Sequence, residues 1–383
     1  MLFARKLRRW IGYGLQLGSD FRLHRHFNSP EIPPLSRRVV EQARLLVISG
    51  INGEDYYNHG LYRPDLSFSE KCRFLGFYQV SRYFNTINPP RYDILARDKI
   101  LFHLLAKALN VPVPELIGVT STTQEPMYAR EMKSIEALVD YLMEPESQNI
   151  FLKPGGGKYG EGALSLGQKI SGRNAWQRLP GNGTIDLDEI LHHVQSNGQI
   201  RRFMIQKRLR PHALLAEIVP DVCSTLRIMT YTKDTPSLIG ICLRMGNGRG
   251  PTDNVSGGGV VISVDMETGT LGDVVSIDSG TPARMTAHPT TGIEISGKQI
   301  PGWPVIVDMV KSAAVKFSFI PCIGWDIAVT DEGPVIVEIN TQPRCRPIQV
   351  ANDRGMLVGV FRDALLEHDG TVNSGLHLRY APD

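Results

Sequence analysis

In the stretch GPVIVEINTQP, Glu338 and Asn340 set a carboxylate and an amide two residues apart in an otherwise apolar run. Val335, Val337 and Ile339 alternate with Ile336, Glu338 and Asn340, the period of a β-strand, which predicts the acid and the amide together on the face opposite the first three. Upstream, IGWDIAVTDEGP reads as a second strand, Ile323 to Val329, folded back antiparallel by TDEGP. A hairpin centred near Glu332 puts Asp326 directly opposite Glu338, with Cβ atoms about 4.5–5.5 Å apart. Facing carboxylates repel unless a cation lies between them. Two carboxylates with an amide oxygen form the all-oxygen set that suits magnesium, which also takes phosphate oxygens. An exposed hairpin with solvated acids satisfies the same pattern, and a slip of one residue in register turns a side chain to the other face.

A second stretch, FLKPGGGKYGEGALSL, is a strand ending in Lys153, then Gly155, Gly156, Gly157, Gly160 and Gly162, then another strand. Glycines let backbone N–H groups close over phosphates, and a lysine at the strand end adds a point charge. It is neither a Walker A loop, because the lysine precedes the glycines, nor a dinucleotide fingerprint, because the spacing and the following helix are missing. A flexible glycine loop with no ligand fits equally. Cys345, between Arg344 and Arg346, has neighbours that lower a thiol pKa. The two arginines suit a substrate carboxylate or sugar phosphate, or a solvated rim. His192 and His193 read as surface residues of a helix.

The elements that must position these groups follow from the rest of the chain. Its 383 residues, 42% hydrophobic and 21% charged, allow two or three soluble globular domains. With 42 basic against 39 acidic residues the net charge is +3, which makes no case for nucleic acid as a partner. Five scattered cysteines without CxxC spacing argue against a disulfide framework or a zinc site and fit a reducing cytoplasm. No apolar run reaches the roughly 18 residues of a transmembrane helix, and no signal peptide is expected. In MLFARKLRRWIGYGLQL, Phe3, Leu7, Trp10 and Ile11 share a helical face while Arg5, Lys6, Arg8 and Arg9 crowd the rest, which suits either weak contact with the inner membrane surface or docking on the domain itself.

Residues 1–88 read as mainly helical, and INPPRY marks a boundary. Ile94, Leu101, Leu104, Leu105 and Ala108 predict a helix stopped by Asn110, Pro112 and Pro114, with a strand to follow. From Phe151 onward strands dominate, with helices near 185–197, 303–316 and 355–367, an α+β pattern.

Lys99 in RDK, the strand–lysine–glycine loop from Lys153, the short strand MIQKRL, the arginine strand TLRI and the closing D…EIN occur in the order of the ATP-grasp superfamily, which the chain resembles from about Asp93 to its end. TLRIMTY…CLRMG…DNVSGGG is similar to carboxylate–amine ligases of the RimK and glutathione synthetase type, and DNVSGGG to EINTQP resembles the sugar-transfer-associated ATP-grasp proteins. The resemblance implies an ATP-grasp fold with an N-terminal helical region at 1–88, a first subdomain at 89–205 and a catalytic subdomain at 206–383. It implies that Lys99 and Lys153 contact ATP phosphates under a lid from Gly155 to Gly162, and that the main chain of Gln206, Lys207 and Leu209 pairs with adenine. Arg227, Arg244 and Asn254 would meet the transferring phosphoryl group or the acyl phosphate, and Asp326, Glu338 and Asn340 would hold Mg2+. The ribose-binding acid of related ligases falls on Ala213, leaving that contact to another residue such as His212 or Glu217. The implied activity is amide formation between a small carboxylate and an amine through an acyl phosphate, with an amino acid or a sugar acid for a surface polysaccharide as substrate. An ATP-grasp kinase, or a nucleotide-binding protein without catalysis, would present the same ATP site.

Overall fold

In a computed structural model, residues 32–120, 129–157, 160–196, 202–253, 258–277 and 282–368 are described. They fall into two compact units, one of Met1–Ile87, Ile277–Ala283 and Gln342–Asp383 and one of Asn88–Ser276 and Arg284–Thr341, as far as these are described.

The described N-terminal part of the first unit is helical: α1 (Leu35–Ser49), α2 (Gly53–Asn58), α3 (Phe68–Cys72) and α4 (Phe77–Ile87). Local signals set the helix starts. The Asn52 side chain accepts the Asp55 N–H to cap α2, and Ser67 with Glu70 forms a reciprocal capping box on α3. Leu45, Ile51, Tyr56, Tyr57, Leu61, Cys72 and Phe74 form its core.

The second unit begins with a 3₁₀ turn at Pro90–Tyr92, followed by α5 (Ile94–Arg97) and α6 (Lys99–Ala108). The single helix expected across residues 94–108 is broken at Asp98. Its extended backbone lets its carboxylate accept from Ile100 and Leu101 N–H and start a fresh helix. The restart turns the buried face to Ile100, Phe102, His103 and Ala106, while Ile94 and Leu101 of the expected face are exposed. Then come β1 (Leu116–Thr120), β2 (Arg130–Met132), α7 (Ile135–Met143), β3 (Ile150–Pro154), β4 (Leu164–Lys169), β5 (Ala175–Leu179), β6 (Gly183–Asp186), α8 (Leu187–Ser196) and β7 (Phe203–Lys207). They build a seven-stranded sheet in the order β2-β1-β7-β3-β4-β5-β6.

After α9 (Ala213–Ile218), a second sheet comprises β8 (Thr225–Thr232), β9 (Pro236–Met245), β10 (Val260–Val264), β11 (Leu271–Ser276), β12 (Ala283–Met285), β13 (Cys322–Thr330) and β14 (Gly333–Asn340), with α10 (Trp303–Lys316) before β13. Its order is β12-β11-β10-β9-β8-β13-β14. Strict alternation divides its central strands. Leu226, Ile228, Ile241, Leu243, Trp325 and Ile327 point into a core shared with Trp303, Ile306 and Val310 of α10. Thr225, Arg227, Cys242, Arg244 and Asp326 therefore occupy the opposite face. Back in the first unit, α11 (Arg346–Ala351) and α12 (Gly359–His368) complete the helices, with Phe361 stacked on Phe84 at 5.7 Å between ring centroids.

The β13–β14 hairpin turns through Asp331 and Glu332, half a residue earlier than expected, with Thr330 opposite Gly333. An even register from that turn would set Asp326 against Val337. A bulge intervenes: Ile327 pairs with Ile336 but Asp326 with Glu338, so Val337 is the extra residue. The bulge also corrects the expected faces. Ile336 was placed beside Glu338 and Asn340 by simple alternation, yet it is buried in the core with Ile339, because one added residue inverts the parity of the strand.

Candidate functional site

The polar face of the second sheet gathers its charges around Asp326, which is fully buried. Arg227, opposite it on β8, donates from Nε to Oδ1 and from Nη2 to Oδ2 at 2.9 Å, a fork-to-fork pair. Arg244, one strand further on β9, donates from Nη2 to the same Oδ2 at 3.0 Å. On the other side Glu338 of β14 faces Asp326 across the ladder and hydrogen-bonds it. Asn340 lies two residues on, opposite Gly324, and its Nδ2 is buried without a partner among the described residues. Asn88 pins the ends of this hairpin: its Nδ2 donates to the Cys322 carbonyl at 2.6 Å and the Thr341 carbonyl at 2.7 Å, and its Oδ1 accepts the Cys322 N–H.

Two acids this close do not ionise together. Burial opposes ionisation of Asp326, but the guanidinium of Arg227 and then that of Arg244 hold its carboxyl well below the usual range. Burial and the charge of Asp326 push the Glu338 carboxyl up. Among the described residues no group of three or more His, Cys, Asp or Glu side chains is arranged to hold a metal ion. The hairpin instead offers two carboxylates and the Asn340 amide, a hard oxygen set that suits a magnesium-sized cation in place of the proton. The unpartnered Asn340 Nδ2 is the matching donor for an anionic oxygen brought by such a cation.

The lysines come from the first sheet and α6. Lys153, on β3, has its pKa lowered to about 8 by burial, with Glu338 opposing the shift and Lys99 adding to it. Lys99 Nζ donates to the Gly157 carbonyl at 3.0 Å, and its N–H donates to the Gly155 carbonyl at 2.8 Å. The glycines differ in purpose. At Gly155 a Cβ would come within 2.8 Å of Ile100 Cδ1, so close packing on α6 requires it. Gly157 at φ +97° and Gly160 at φ +66° hold left-handed backbone. Gly156 meets neither condition, with nothing nearer than the Arg97 carbonyl at 3.7 Å. His193, expected as a plain surface residue, bonds through Nε2 to the Gly162 carbonyl at 3.0 Å and so ties down the far end of the loop. Gln206 and Lys207 sit on β7 beside β3, Gln206 buried and Lys207 exposed, and the Leu209 carbonyl receives the Cys223 thiol at 3.5 Å.

Other sequence expectations lie elsewhere. Asn254 and the N-terminal basic segment fall outside the described residues. Ala213 and His212 are held at the hairpin turn, Ala213 N–H donating to Asp331 Oδ1 at 3.1 Å and His212 N–H to the Val329 carbonyl at 2.9 Å. Cys345 is buried, which removes the access a reactive thiol needs. Sequence reasoning missed Asp253 and Thr225, which bind Arg244 from behind. The signals were there: Thr225 shares the strand parity of Arg227, and Asp253 adjoins Asn254 in the TDN triplet.

No curated protein sequence matches the chain. Matching solved structures include D-alanyl-alanine synthetase A from Vibrio cholerae O1 biovar eltor str. N16961, 13% identical over 75% of this chain and 63% of that one, TM-score 0.35. VanG D-Ala:D-Ser ligase from Enterococcus faecalis is 12% identical over 72% and 61%, TM-score 0.38. A RimK domain protein of ATP-grasp type from Sphaerobacter thermophilus DSM 20745 is 13% identical over 69% and 66%, TM-score 0.32. The chain thus spans less than two thirds of the length of the first two. The description "Sugar-transfer associated ATP-grasp" fits residues 78–361, a stretch that holds both sheets and the whole of the charged cluster. The chain belongs to the sugar-transfer associated ATP-grasp family.

Proposed function

We propose that this protein is an ATP-dependent carboxylate–amine ligase that joins two small molecules, one of them an amino acid or sugar acid, through an acyl phosphate. The observation that carries the reading is the convergence of Arg227 and Arg244 on the carboxylate that faces Glu338, with Asn340 two residues further along the same strand. Two guanidiniums beside an oxygen-donor set suit a phosphoryl group in flight between two anions.

In this reading the main chain of Gln206, Lys207 and Leu209 holds adenine, and Lys99 and Lys153 hold the phosphates. Asp326, Glu338 and Asn340 would hold Mg2+, which would supply neutralising charge to the phosphate oxygens. The substrate carboxylate oxygen attacks the γ-phosphorus; the bond from that phosphorus to the β,γ-bridging oxygen breaks and ADP leaves. The amine nitrogen then attacks the acyl carbon, its carbon–oxygen bond to phosphate breaks, and the nitrogen loses a proton as inorganic phosphate departs. Arg227 and Arg244 stabilise the charge that builds on the transferring group, and the loop from Gly155 to Gly162 excludes water that would hydrolyse the acyl phosphate. No protein nucleophile is used, in keeping with the burial of Cys345. The demand for ATP places the reaction in the cytoplasm, and the family description favours sugar-conjugate or surface-polysaccharide synthesis. Contact of the N-terminal basic segment with the membrane belongs to the same proposal.

Phosphate release from ATP, measured over a panel of acid and amine pairs, tests it. Release that requires both partners is expected. A stable phosphorylated product made from a single substrate would replace the ligase with a kinase, and ATP binding without turnover on the whole panel would leave a non-catalytic nucleotide-binding protein.

A further inference from the structure

Arg244 differs from Arg227 in how it is held. Arg227 relies on Asp326 alone for its two charged hydrogen bonds. Arg244 has a second set of partners behind it. Its Nε and Nη2 donate to Thr225 Oγ1 at 3.2 Å and 2.7 Å, and its Nε lies 3.4 Å from Asp253 Oδ2. Thr225 in turn donates both its N–H, at 3.1 Å, and its hydroxyl to that same Oδ2. A hydroxyl has one proton. Because Arg244 only donates, the Thr225 proton must point at Asp253, which leaves the oxygen lone pairs facing the guanidinium.

The arrangement is a built one. Asp253 and Thr225 are both buried, so neither carboxylate nor hydroxyl exchanges its partners for water. Gly246 lets the segment approach: a Cβ there would lie 3.0 Å from the Thr252 carbonyl and 3.4 Å from Asp253 Cα.

The consequence concerns what happens when Asp326 acquires a cation. Arg227 and Arg244 compete for Oδ2 of Asp326, and any cation bound between Asp326 and Glu338 draws on the same lone pairs. An arginine anchored only there would lose its orientation as the site fills. We infer that Asp253, acting through Thr225, is a positioning residue that keeps the Arg244 guanidinium aimed at the transferring phosphoryl group while Asp326 turns to the cation. Asp253 does not touch the reacting atoms. This rests on the ligase reading for its purpose, but the anchoring is a property of the chain.

Two measurements on the full-length protein separate these. The first is the ¹⁵N NMR signal of the Arg244 Nε–H, identified by its absence in Arg244→Lys, recorded with Mg2+ and ATP. In wild type it persists as a slowly exchanging resonance. Asp253→Asn keeps the size and an acceptor for Thr225 but removes the charge, and Thr225→Val removes the acceptor for Arg244 at almost constant shape; each is expected to lose or broaden the signal. The second is ADP release from Mg2+ and ATP in the presence of the acid and amine panel. Asp253→Asn is expected to slow it about tenfold or more while ATP affinity stays within about twofold, the pattern of lost orientation in the transition state. Placed in Arg244→Ala, the same change costs nothing further, because the route through Arg244 is already gone. An unchanged Nε–H signal in both variants, or rate losses for Asp253→Asn and Arg244→Ala that multiply, would overturn the inference. If wild type releases no ADP with any acid and amine pair, the enzymatic reading fails, and the NMR comparison still decides the anchoring.

Discussion

Asp326 and Glu338 face each other in one hairpin, yet removing the charge of one should be costly and of the other nearly free. Asp326 is fully buried and receives three guanidinium hydrogen bonds. Asp326→Asn leaves Arg244 with Asp253 but leaves Arg227, itself 6% exposed, with no ionised partner in hydrogen-bonding contact among the described residues. Breaking a buried pair on one side costs about 3–5 kcal/mol. At roughly 2–4 °C per kcal/mol for a domain of this size, the melting temperature should fall by about 6–20 °C.

Burial and the charge of Asp326 both favour the protonated form of Glu338, whose shape and charge glutamine reproduces. Glu338→Gln should cost less than about 1 kcal/mol, a single altered hydrogen bond. Yet it removes an anionic ligand, so ADP release should be lost as fully as in Asp326→Asn. The sign with pH follows. A carboxyl whose folded pKa is raised contributes stability that is complete below its unfolded value near 4.5 and disappears as pH rises through the folded value. Wild type should therefore lose stability over that rise while Glu338→Gln does not. Thermal melts followed by tryptophan fluorescence, without nucleotide or Mg2+, read the stability differences, since Trp325 lies on β13 itself. Equal destabilisation by both variants would refute the protonation pattern.

Other outcomes follow from the same geometry. The Lys153 pKa near 8 means that its charge is lost on going from pH 7 to 9, so ATP affinity by calorimetry should weaken over that range, whereas Lys153→Arg should bind with little pH dependence. A flat wild-type profile would remove Lys153 from the phosphate site. Gly157 at φ +97° carries the carbonyl that Lys99 holds. Gly157→Ala strains that backbone by about 1–2 kcal/mol and should slow ADP release while changing ATP affinity less than about threefold. Parallel losses in both would count against a lid.

Much of this was legible in sequence because burial has a period. Alternation placed Arg227 on the polar face of its strand, and the strand–lysine–glycine run set Lys153 at the mouth of a loop. What escaped were features with no period. The bulge at Val337 preserves the facing of Asp326 and Glu338 yet sends Ile336 into the core, and one extra residue leaves no compositional mark. The break at Asp98 rotates a helix that apolar spacing alone makes continuous. The clasp of Thr225 and Asp253 on Arg244 joins residues 28 positions apart, through hydrogen bonds that only the assembled sheet brings within reach.

The central claim is that ATP phosphorylates a carboxylate under the charge of Arg227, and hydroxylamine trapping tests it most directly. With Mg2+, ATP and a panel of amino acids and sugar acids, wild type should yield a hydroxamate with at least one acid. Arg227→Ala should yield it about a hundredfold more slowly or worse, with ATP affinity little changed, as for a lost transition-state donor. No hydroxamate with any acid, together with stable transfer of phosphate to a hydroxyl, would contradict the account.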